Sequence, residues 1–141
     1  MRVVLDTSVL VAAIRSQIGA SKALVTAALE SRLEFLISTP LILEYEAVLT
    51  RKEHLLASKL VAEEIREMLD MLCASGIQVR MTQDWKPKLR DPDDEMVLGT
   101  AINGRADVIA TFNRKDFVSI PVEFGIEVLS PIEVLRRMEI Q

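Results

Sequence analysis

The pattern of apolar and polar positions along the chain predicts an alternation of strands and helices. Short apolar runs rich in β-branched residues are typical of buried strands, whereas apolar positions three or four residues apart are typical of amphipathic helices. Runs of the first kind predict five strands, at residues 3–5, 35–37, 77–79, 107–111 and 126–129.

Helices are predicted in the segments between these strands and after the last one. Residues 19–33 and 58–74 have apolar positions at helical spacing, and Gly76 is expected to end the second of these helices. Three further helices are predicted to begin at a capping residue followed by proline, at Thr39-Pro40, Asp91-Pro92 and Ser130-Pro131. The order β-α-β-α-α-β-α-β-β-α predicts one doubly wound α/β domain over residues 1–141.

Composition agrees with a folded domain and limits how the chain can bind a partner. The chain has 141 residues, 50% of them hydrophobic, and a formal net charge of −4 at pH 7. This length and apolar fraction suffice for a buried core and argue against disorder. The pI near 5.1 argues against a broad basic surface that binds nucleic acid through its phosphates, but it is compatible with an acidic metal site that acts on nucleic acid.

The only cysteine and the only histidine are given structural interpretations. Cys73 lies among apolar residues of a predicted helix, so we expect a core residue rather than a nucleophile. His54 lies in a charged run and is expected at the solvated surface. No window approaches the roughly 18 uninterrupted apolar residues of a membrane span, and the amino terminus lacks a signal-peptide pattern, so the expected location is the cytoplasm without membrane association.

Acidic residues recur at the carboxyl ends of the predicted strands or in the helices that follow. They are Asp6 after the first strand, Glu44 after the second, Asp93 and Asp94 after the third, and Asp116 after the fourth. The carboxyl ends of parallel strands share one edge of the sheet, so these carboxylates are expected to converge there. Converging carboxylates repel one another unless a cation compensates them, and a hard cation such as Mg²⁺ or Mn²⁺ prefers oxygen ligands.

Each of these acidic residues also has an interpretation without chemistry. Asp6 or Thr7 could simply cap the next helix, and Asp93 and Asp94 would stabilise a helix dipole by about 0.3–1 kcal/mol each without any metal. Glu44 could belong to a solvated helix flank, and Asp116 could be an ordinary turn residue. The convergence of all of them at one edge favours the metal site over these separate explanations.

The motifs that contain these acids resemble the PIN domain, in particular the single-domain, VapC-like PIN toxins of prokaryotic toxin-antitoxin pairs. The resemblance covers nearly the whole chain and rests on LDTSVLV, LILEYEAVL, DPDDEMVLGTAINGRADVIAT and FNRKDF. It implies a three-layer α/β/α sandwich with a mainly parallel sheet and an Mg²⁺- or Mn²⁺-dependent ribonuclease. It also implies a small cognate antitoxin as partner and a homodimer.

The family's acidic positions carry over onto three residues of this chain. The resemblance assigns the first aspartate to Asp6, the helix glutamate to Glu44 and the third acid to Asp94. Asp94 is preferred over Asp93 because it stands seven residues before Ala101, which matches the family's spacing. These residues would be metal ligands or would position the attacking water.

The fourth acidic position departs from the family pattern. Many members have an aspartate two positions after the strand-four threonine, whereas this chain has Asn113 there and Asp116 three residues further on. We expect Asp116 to supply the charge for the metal and Asn113 to position it. Three hydroxyls are expected to orient carboxylates or waters, those of Thr7, Ser8 and Thr111.

The predicted reaction is hydrolysis of an RNA phosphodiester by a metal-activated water, which leaves a 5′-phosphate and a 3′-hydroxyl. Two other classes stay open. A haloacid dehalogenase-type phosphatase also has an aspartate after strand one, but its second aspartate corresponds to Ser8 here. A non-catalytic PIN-like binding module is favoured by the neutral Asn113.

Overall fold

Five parallel strands form the centre of the computed structural model, which describes residues 1–16, 18–82, 92–118, 120 and 124–140, with the backbone alone for residues 92–94 and 140. The strands are β1 (Arg2–Leu5), β2 (Glu34–Ile37), β3 (Ile77–Gln78), β4 (Val108–Ala110) and β5 (Glu127–Leu129). Their spatial order is β3-β2-β1-β4-β5, and every neighbouring pair is parallel. The predicted parallel α/β class is confirmed.

Helices connect the strands and cover both faces of the sheet. They are α1 (Thr7–Arg15), α2 (Ala20–Leu29), α3 (Thr39–Leu49), α4 (Lys52–Ser58), α5 (Ala62–Ser75), α6 (Pro92–Asn103) and α7 (Pro131–Ile140). Along the sheet, the chain moves from β1 to β2 and then to β3 at one edge. The connection from β3 to β4 contains α6 and crosses back in the opposite direction, where α6 contacts β2, β1 and β4. Right-handed crossovers in opposite directions place their helices on opposite faces, which gives the three-layer sandwich.

The two central strands are buried because both of their faces are covered. Val3, Val4 and Leu5 of β1 are almost fully inaccessible, and all three residues of β4 are buried. A strand covered on both faces has continuous apolar sequence rather than alternation, and this is the pattern from which both strands were predictable.

The strand order creates a crevice between the carboxyl ends of β1 and β4. The chain leaves β1 toward β2 on one side, whereas β4 pairs with β1 on the other side. In open parallel sheets the helices diverge at such a point, and ligands bind in the space outside the strand ends. Whatever follows Leu5 and Ala110 therefore faces this crevice.

The first helical segment differs from the prediction. The helix predicted over 19–33 is present as the shorter α2, and the additional helix α1, which begins at Thr7, was missed. Gly19 has a φ of 123°, which separates the two helices, and Ser31 has a φ of 59°, which keeps Leu33 outside α2. Leu33 is nevertheless buried, because it packs at the entrance to β2.

The helix predicted over 58–74 corresponds to α5 but begins later than predicted, after the additional helix α4. α4 ends at Ser58, Lys59 adopts the left-handed conformation with a φ of 62°, and α5 begins at Ala62. Gly76 follows α5 as its capping residue, as predicted. The side chains of Ile65, Leu69 and Leu72 are buried, so the apolar spacing located the inner face of α5 correctly.

The predicted cap of α7 is confirmed, whereas the cap of α3 is a different residue from the one predicted. Ser130 and Glu133 form the predicted capping box: the Ser130 backbone N–H donates to Glu133 Oε1 at 3.2 Å, and the Glu133 N–H donates to Ser130 Oγ at 3.4 Å. For α3 the cap is Ser38, whose Oγ accepts from the Leu41 N–H, rather than Thr39. The predicted cap Asp91 lies outside the described residues.

The interpretations of Cys73 and His54 as core and surface residues are both wrong. Cys73 is exposed because it lies one position beyond the buried stripe of α5, a rotation of about 100°. Partial desolvation and the neighbouring Asp70 raise the pKa of its thiol, which disfavours the nucleophilic thiolate. His54 is buried where α4 packs against α1, with its Nδ1 3.5 Å from Nη1 of Arg15.

Membrane-spanning segments were searched for in the described part of the chain. There, no single helix is both long and apolar enough to cross a bilayer. α1 and α2 reach the necessary length and composition only when taken together, as a pair bent by 105°.

Candidate active site

Asp6 lies at the carboxyl end of β1, in the crevice next to β4. Its backbone N–H donates to the carbonyl of Ala110 at 2.9 Å, which extends the β1–β4 pairing by one hydrogen bond. Its side chain is on a residue only 5% exposed. A buried carboxylate requires hydrogen-bond donors or a cation, so its surroundings indicate what the crevice is built to hold.

Two hydroxyl groups donate to the same oxygen of the Asp6 carboxylate. Ser8 Oγ lies 2.6 Å from Asp6 Oδ2, and Thr111 Oγ1 lies 2.7 Å from it. Distances of about 2.5–2.7 Å are typical of hydroxyls that donate to an ionised carboxylate. Both hydrogen bonds from described residues reach Oδ2, which leaves Oδ1 as the oxygen for a further ligand.

The capping interpretation of Asp6 is not supported by these contacts. Asp6 has the extended backbone of a helix N-cap before α1, but within the described first turn its side chain accepts no capping hydrogen bond. Its hydrogen bonds instead reach Ser8 and, across the crevice, Thr111. The carboxylate is therefore held by Ser8 in the first turn of α1 and by Thr111 after β4, and its side chain does not cap α1.

A second set of hydrogen bonds fixes the hydroxyls themselves. The Phe112 N–H donates to Ser8 Oγ at 3.3 Å, and the Asn113 N–H donates to Thr111 Oγ1 at 2.9 Å. The Thr111 N–H donates to the carbonyl of Leu129 at 2.9 Å, which continues the pairing of β4 with β5. Both hydroxyl oxygens thus accept one hydrogen bond and donate another toward Asp6, so their orientation is determined.

Tyr45 of α3 forms a hydrogen bond to the carboxyl end of β1, next to Asp6. Its hydroxyl donates to the carbonyl of Leu5 at 2.5 Å, one residue before Asp6. Burial raises the pKa of Tyr45 well above its ordinary value, and the negative charge of Asp6 adds to the shift. This role of Tyr45 was not predicted from the sequence, although a tyrosine on the apolar side of a helix is a signal that its hydroxyl needs a partner.

A buried pair of hydroxyls joins the two helices that carry the next predicted acids. Ser38 caps α3, the helix of Glu44, and its Oγ lies 2.7 Å from Oγ1 of Thr100 in α6, the helix of Asp94. Both members of the pair are fully buried. This contact fixes α6 relative to α3 and was not predicted from the sequence.

The predicted acids Glu44 and Asp94 are placed by the fold to different extents. Glu44 is half-buried on α3 and immediately precedes Tyr45. The backbone of Asp94 lies in the first turn of α6, but its side chain, like that of Asp93, lies outside the described residues. Among the described side chains no three acidic, histidine or cysteine groups lie close enough to hold a metal ion. The roles assigned to Glu44 and Asp94 stay predictions.

The fourth predicted position consists of two exposed residues after β4. Asn113 is exposed, and its backbone belongs to the hydrogen bonds around Thr111. Asp116 is exposed on a 3-10 helix (Arg114–Phe117), and its N–H donates to the carbonyl of Asn113 at 3.0 Å. Arg114, at the start of the same 3-10 helix, forms an ion pair with Glu133.

The donor atoms next to Asp6 suit a hard divalent cation. They are oxygens: Oδ1 of Asp6 and the hydroxyl of Thr7, which is buried and has no hydrogen-bond partner among the described residues. A buried hydroxyl without a partner is rare, and a hydrated cation would supply one. If Asp94 and Glu44 contribute as predicted, the set would be the all-oxygen type that Mg²⁺ and Mn²⁺ prefer.

Comparison with known proteins identifies the family. A model of the PIN domain family matches residues 2–115, well over half of the chain. No curated protein matches the sequence. The matched region contains β1 to β4, Asp6, Glu44, Asp94 and Thr111, so the family's nuclease-type fold and the crevice described above coincide. The chain belongs to the PIN domain family.

Proposed function

We propose that this protein is a divalent-metal-dependent endoribonuclease. The observation that carries the proposal is the buried Asp6 carboxylate at the strand-order crevice, held through Oδ2 by Ser8 and Thr111 with Oδ1 left for a ligand. Membership of a family of nucleases supports it. PIN domains typically use divalent metals, and the oxygen donors next to Asp6 agree with that use.

The chain's own residues have distinct tasks in the proposed reaction. Asp6 and Asp94 would hold the cation, with Glu44 or Asp116 in outer contact or positioning a water. When bound, such a cation neutralises developing charge on the phosphate and lowers the pKa of the attacking water. Ser8 and Thr111 keep the Asp6 carboxylate in one orientation, and Tyr45 holds the backbone on which that carboxylate stands.

The phosphatase alternative is disfavoured by the contacts of Ser8. A haloacid dehalogenase-type mechanism needs a second aspartate two residues after the nucleophile to act as acid and base. Here that position is Ser8, which donates its hydroxyl hydrogen to Asp6 instead. Asp6 is thereby oriented as a ligand with one engaged oxygen, which suits metal binding better than nucleophilic attack.

We further propose that the nuclease is the toxin of a toxin-antitoxin pair, acts in the cytoplasm and forms a homodimer. This part rests on the resemblance of the motifs around Asp6, Asp94 and Asp116 to single-domain PIN toxins. A short open reading frame next to the gene, encoding a basic or DNA-binding protein, is the expected antitoxin. Growth arrest on expression of the chain, relieved by co-expression of that neighbour, would support the toxin role, and growth unaffected by expression would contradict it.

The proposed activity is tested directly by a nuclease assay on defined RNAs. The purified chain is incubated with single-stranded and hairpin RNAs in Mg²⁺, in Mn²⁺ and in a chelator, and the ends of the products are identified. We expect internal cleavage that requires the metal, with 5′-phosphate and 3′-hydroxyl ends. Metal-independent cleavage, or faster release of phosphate from small phosphomonoesters than cleavage of RNA, would contradict the proposal. Absence of any turnover would favour the non-catalytic binding module.

A further inference from the structure

Phe112 presents an exposed aromatic ring beside the candidate active site. It is 52% exposed, whereas Phe35 and Phe117 are 2% and 1% exposed and Phe124 is 39% exposed. These are the four phenylalanines of the chain, in which aromatic residues make up only 4%. Aromatic side chains usually contribute most when buried, so a solvent-exposed ring on the residue that follows Thr111 suggests a ligand that covers it.

The backbone of Phe112 is held by the same hydrogen bonds that orient Asp6. Its N–H donates to Ser8 Oγ, and that hydroxyl donates to Asp6 Oδ2 at 2.6 Å. On either side of it, Thr111 donates to Asp6, and the Asn113 N–H donates to Thr111. The ring is therefore attached to a backbone segment whose position relative to the carboxylate is fixed.

We propose that Phe112 stacks against the base of a nucleotide next to the scissile phosphodiester. The inference rests on the proposed ribonuclease function. Every base has an aromatic face, so such a platform binds single strands with little sequence preference. In a duplex the base faces are already stacked within the helix, so paired RNA would not offer one to Phe112.

The charges around the crevice explain why stacking would be needed. The chain carries a net charge of −4, so attraction of the RNA backbone contributes little to affinity. Arg114, a cation two residues after Phe112, is engaged by Glu133. An aromatic contact next to Asp6 supplies binding that does not depend on net charge, and it places the neighbouring phosphate toward the carboxylate.

The test compares Phe112 variants with a matched control on a single-stranded RNA that the wild type cuts at one bond. Phe112→Leu keeps an apolar side chain but loses the aromatic face, Phe112→Trp keeps that face, and Phe124→Leu makes the same change at another exposed phenylalanine. We expect Phe112→Leu to raise KM roughly tenfold, within the range known for base stacking, with kcat changed less than about twofold. Phe112→Trp and Phe124→Leu should keep the wild-type KM.

A second arm changes the RNA instead of the protein. An abasic nucleotide next to the cleaved bond should raise KM for the wild type by the same factor and should add no further increase in Phe112→Leu, since both changes remove one contact. If Phe112→Leu fails to fold, the wild type alone can still overturn the inference, because an unchanged KM on the abasic RNA contradicts base stacking.

The outcomes separate this inference from the proposed function. If the wild type cleaves RNA and neither Phe112→Leu nor the abasic nucleotide changes KM, stacking is wrong while the ribonuclease stands. If the wild type cleaves no RNA, the proposed function fails. The binding of a labelled RNA is then measured instead, and equal affinity of wild type and Phe112→Leu overturns the stacking as well. A change in oligomeric state in Phe112→Leu with unchanged KM would assign the ring to a protein interface and overturn it.

Discussion

Asp6 and Asp116 follow the two strands that border the crevice, but their surroundings differ. Asp6 is buried, comes directly after β1, and accepts hydrogen bonds from the hydroxyls of Ser8 in α1 and Thr111 after β4. Asp116 is exposed on a 3-10 helix six residues beyond Ala110, the last residue of β4. A buried carboxylate is costly unless its environment is arranged for it, whereas an exposed one costs almost nothing. The surroundings of Asp6 therefore indicate a site arranged for a ligand, whereas the surroundings of Asp116 do not.

The comparison also concerns rigidity. Asp6 and Thr111 belong to the β-sheet pairing, because each continues a strand ladder through a backbone hydrogen bond. Asn113 and Asp116 follow the ladder and depend on local contacts within one turn. Metal ligands, which must be held within a fraction of an ångström, are best placed on residues of the strand ladder. Groups that adjust to the substrate are best placed on the local turn after it.

The largest expected effect comes from removing the buried charge. Asp6→Asn keeps the shape of the side chain and an acceptor for Ser8 and Thr111 but loses the negative charge, so cleavage should fall by about 1,000-fold or more. We also expect an unchanged or raised melting temperature, because any repulsion between Asp6 and neighbouring acids is relieved. Metal-dependent cleavage and thermal unfolding are measured in parallel.

Asp70→Asn is the matched control for Asp6→Asn. Asp70 is exposed on α5, and the substitution makes the same change in net charge away from the crevice. It should leave cleavage within about twofold of the wild type, as expected for a distant surface site. Full metal-dependent activity in Asp6→Asn would remove Asp6 from the mechanism and reverse the comparison with Asp116.

The next effect comes from the hydroxyl that joins the two strand ends. Thr111→Val has the same shape but cannot donate to Asp6 Oδ2 at 2.7 Å, so cleavage should fall by about 10- to 100-fold through loss of orientation. Thr111→Ser keeps the hydroxyl and should retain most of the activity. Equal activities of the valine and serine variants would show that the hydroxyl has no orienting role.

A smaller effect is expected at the exposed fourth position, where Asn113 and Asp116 compete for one role. A hard cation gains more from a carboxylate than from an amide, so Asp116→Ala should raise the Mg²⁺ concentration needed for half-maximal cleavage more than Asn113→Ala does. A titration of cleavage against Mg²⁺ decides between them. If Asp116→Ala follows the wild-type curve and Asn113→Ala shifts it, Asn113 takes the fourth position.

The smallest expected effect is on stability, through the hydrogen bond from Tyr45 to the carbonyl of Leu5, the residue before Asp6. Tyr45→Phe removes the hydroxyl that donates to Leu5 and leaves that carbonyl unsatisfied, which should lower the free energy of unfolding by about 1 kcal/mol at neutral pH. Denaturant unfolding of both proteins measures this difference. An unchanged midpoint would show that the contact contributes nothing to stability.

The same variant predicts a pH dependence. The pKa of Tyr45 is raised in the folded state, so ionisation of the phenol favours the unfolded chain, and the stability from Tyr45 is present below its unfolded pKa near 10. That stability is lost as pH rises above about 10. The wild type should therefore lose melting temperature faster than Tyr45→Phe in this range, and parallel curves for the two proteins would argue against a buried, neutral phenol.

The buried strands and helix faces were predictable from the sequence, whereas some helices and the burial of single residues were not. The buried strands β1 and β4 and the inner faces of α3 and α5 follow from local apolar patterns, because burial on one or both sides leaves a direct trace in sequence. The helices α1 and α4 were missed, because segments of seven to nine residues are too short to show a clear helical period. His54 and Cys73 were misplaced for a different reason, since a shift of one residue along a helix turns a side chain by about 100°.

The sequence by itself determined the strand that leads to Asp6, the acidic residues that follow the strands, and the motifs of the PIN domain family. Only the tertiary structure decided which groups meet. Thr111 lies 105 positions from Asp6, Thr100 lies 62 positions from Ser38, and Tyr45 lies 40 positions from Leu5. These contacts depend on the strand order, which places β4 beside β1 and defines the crevice, and no local pattern of apolar residues specifies which strands become neighbours.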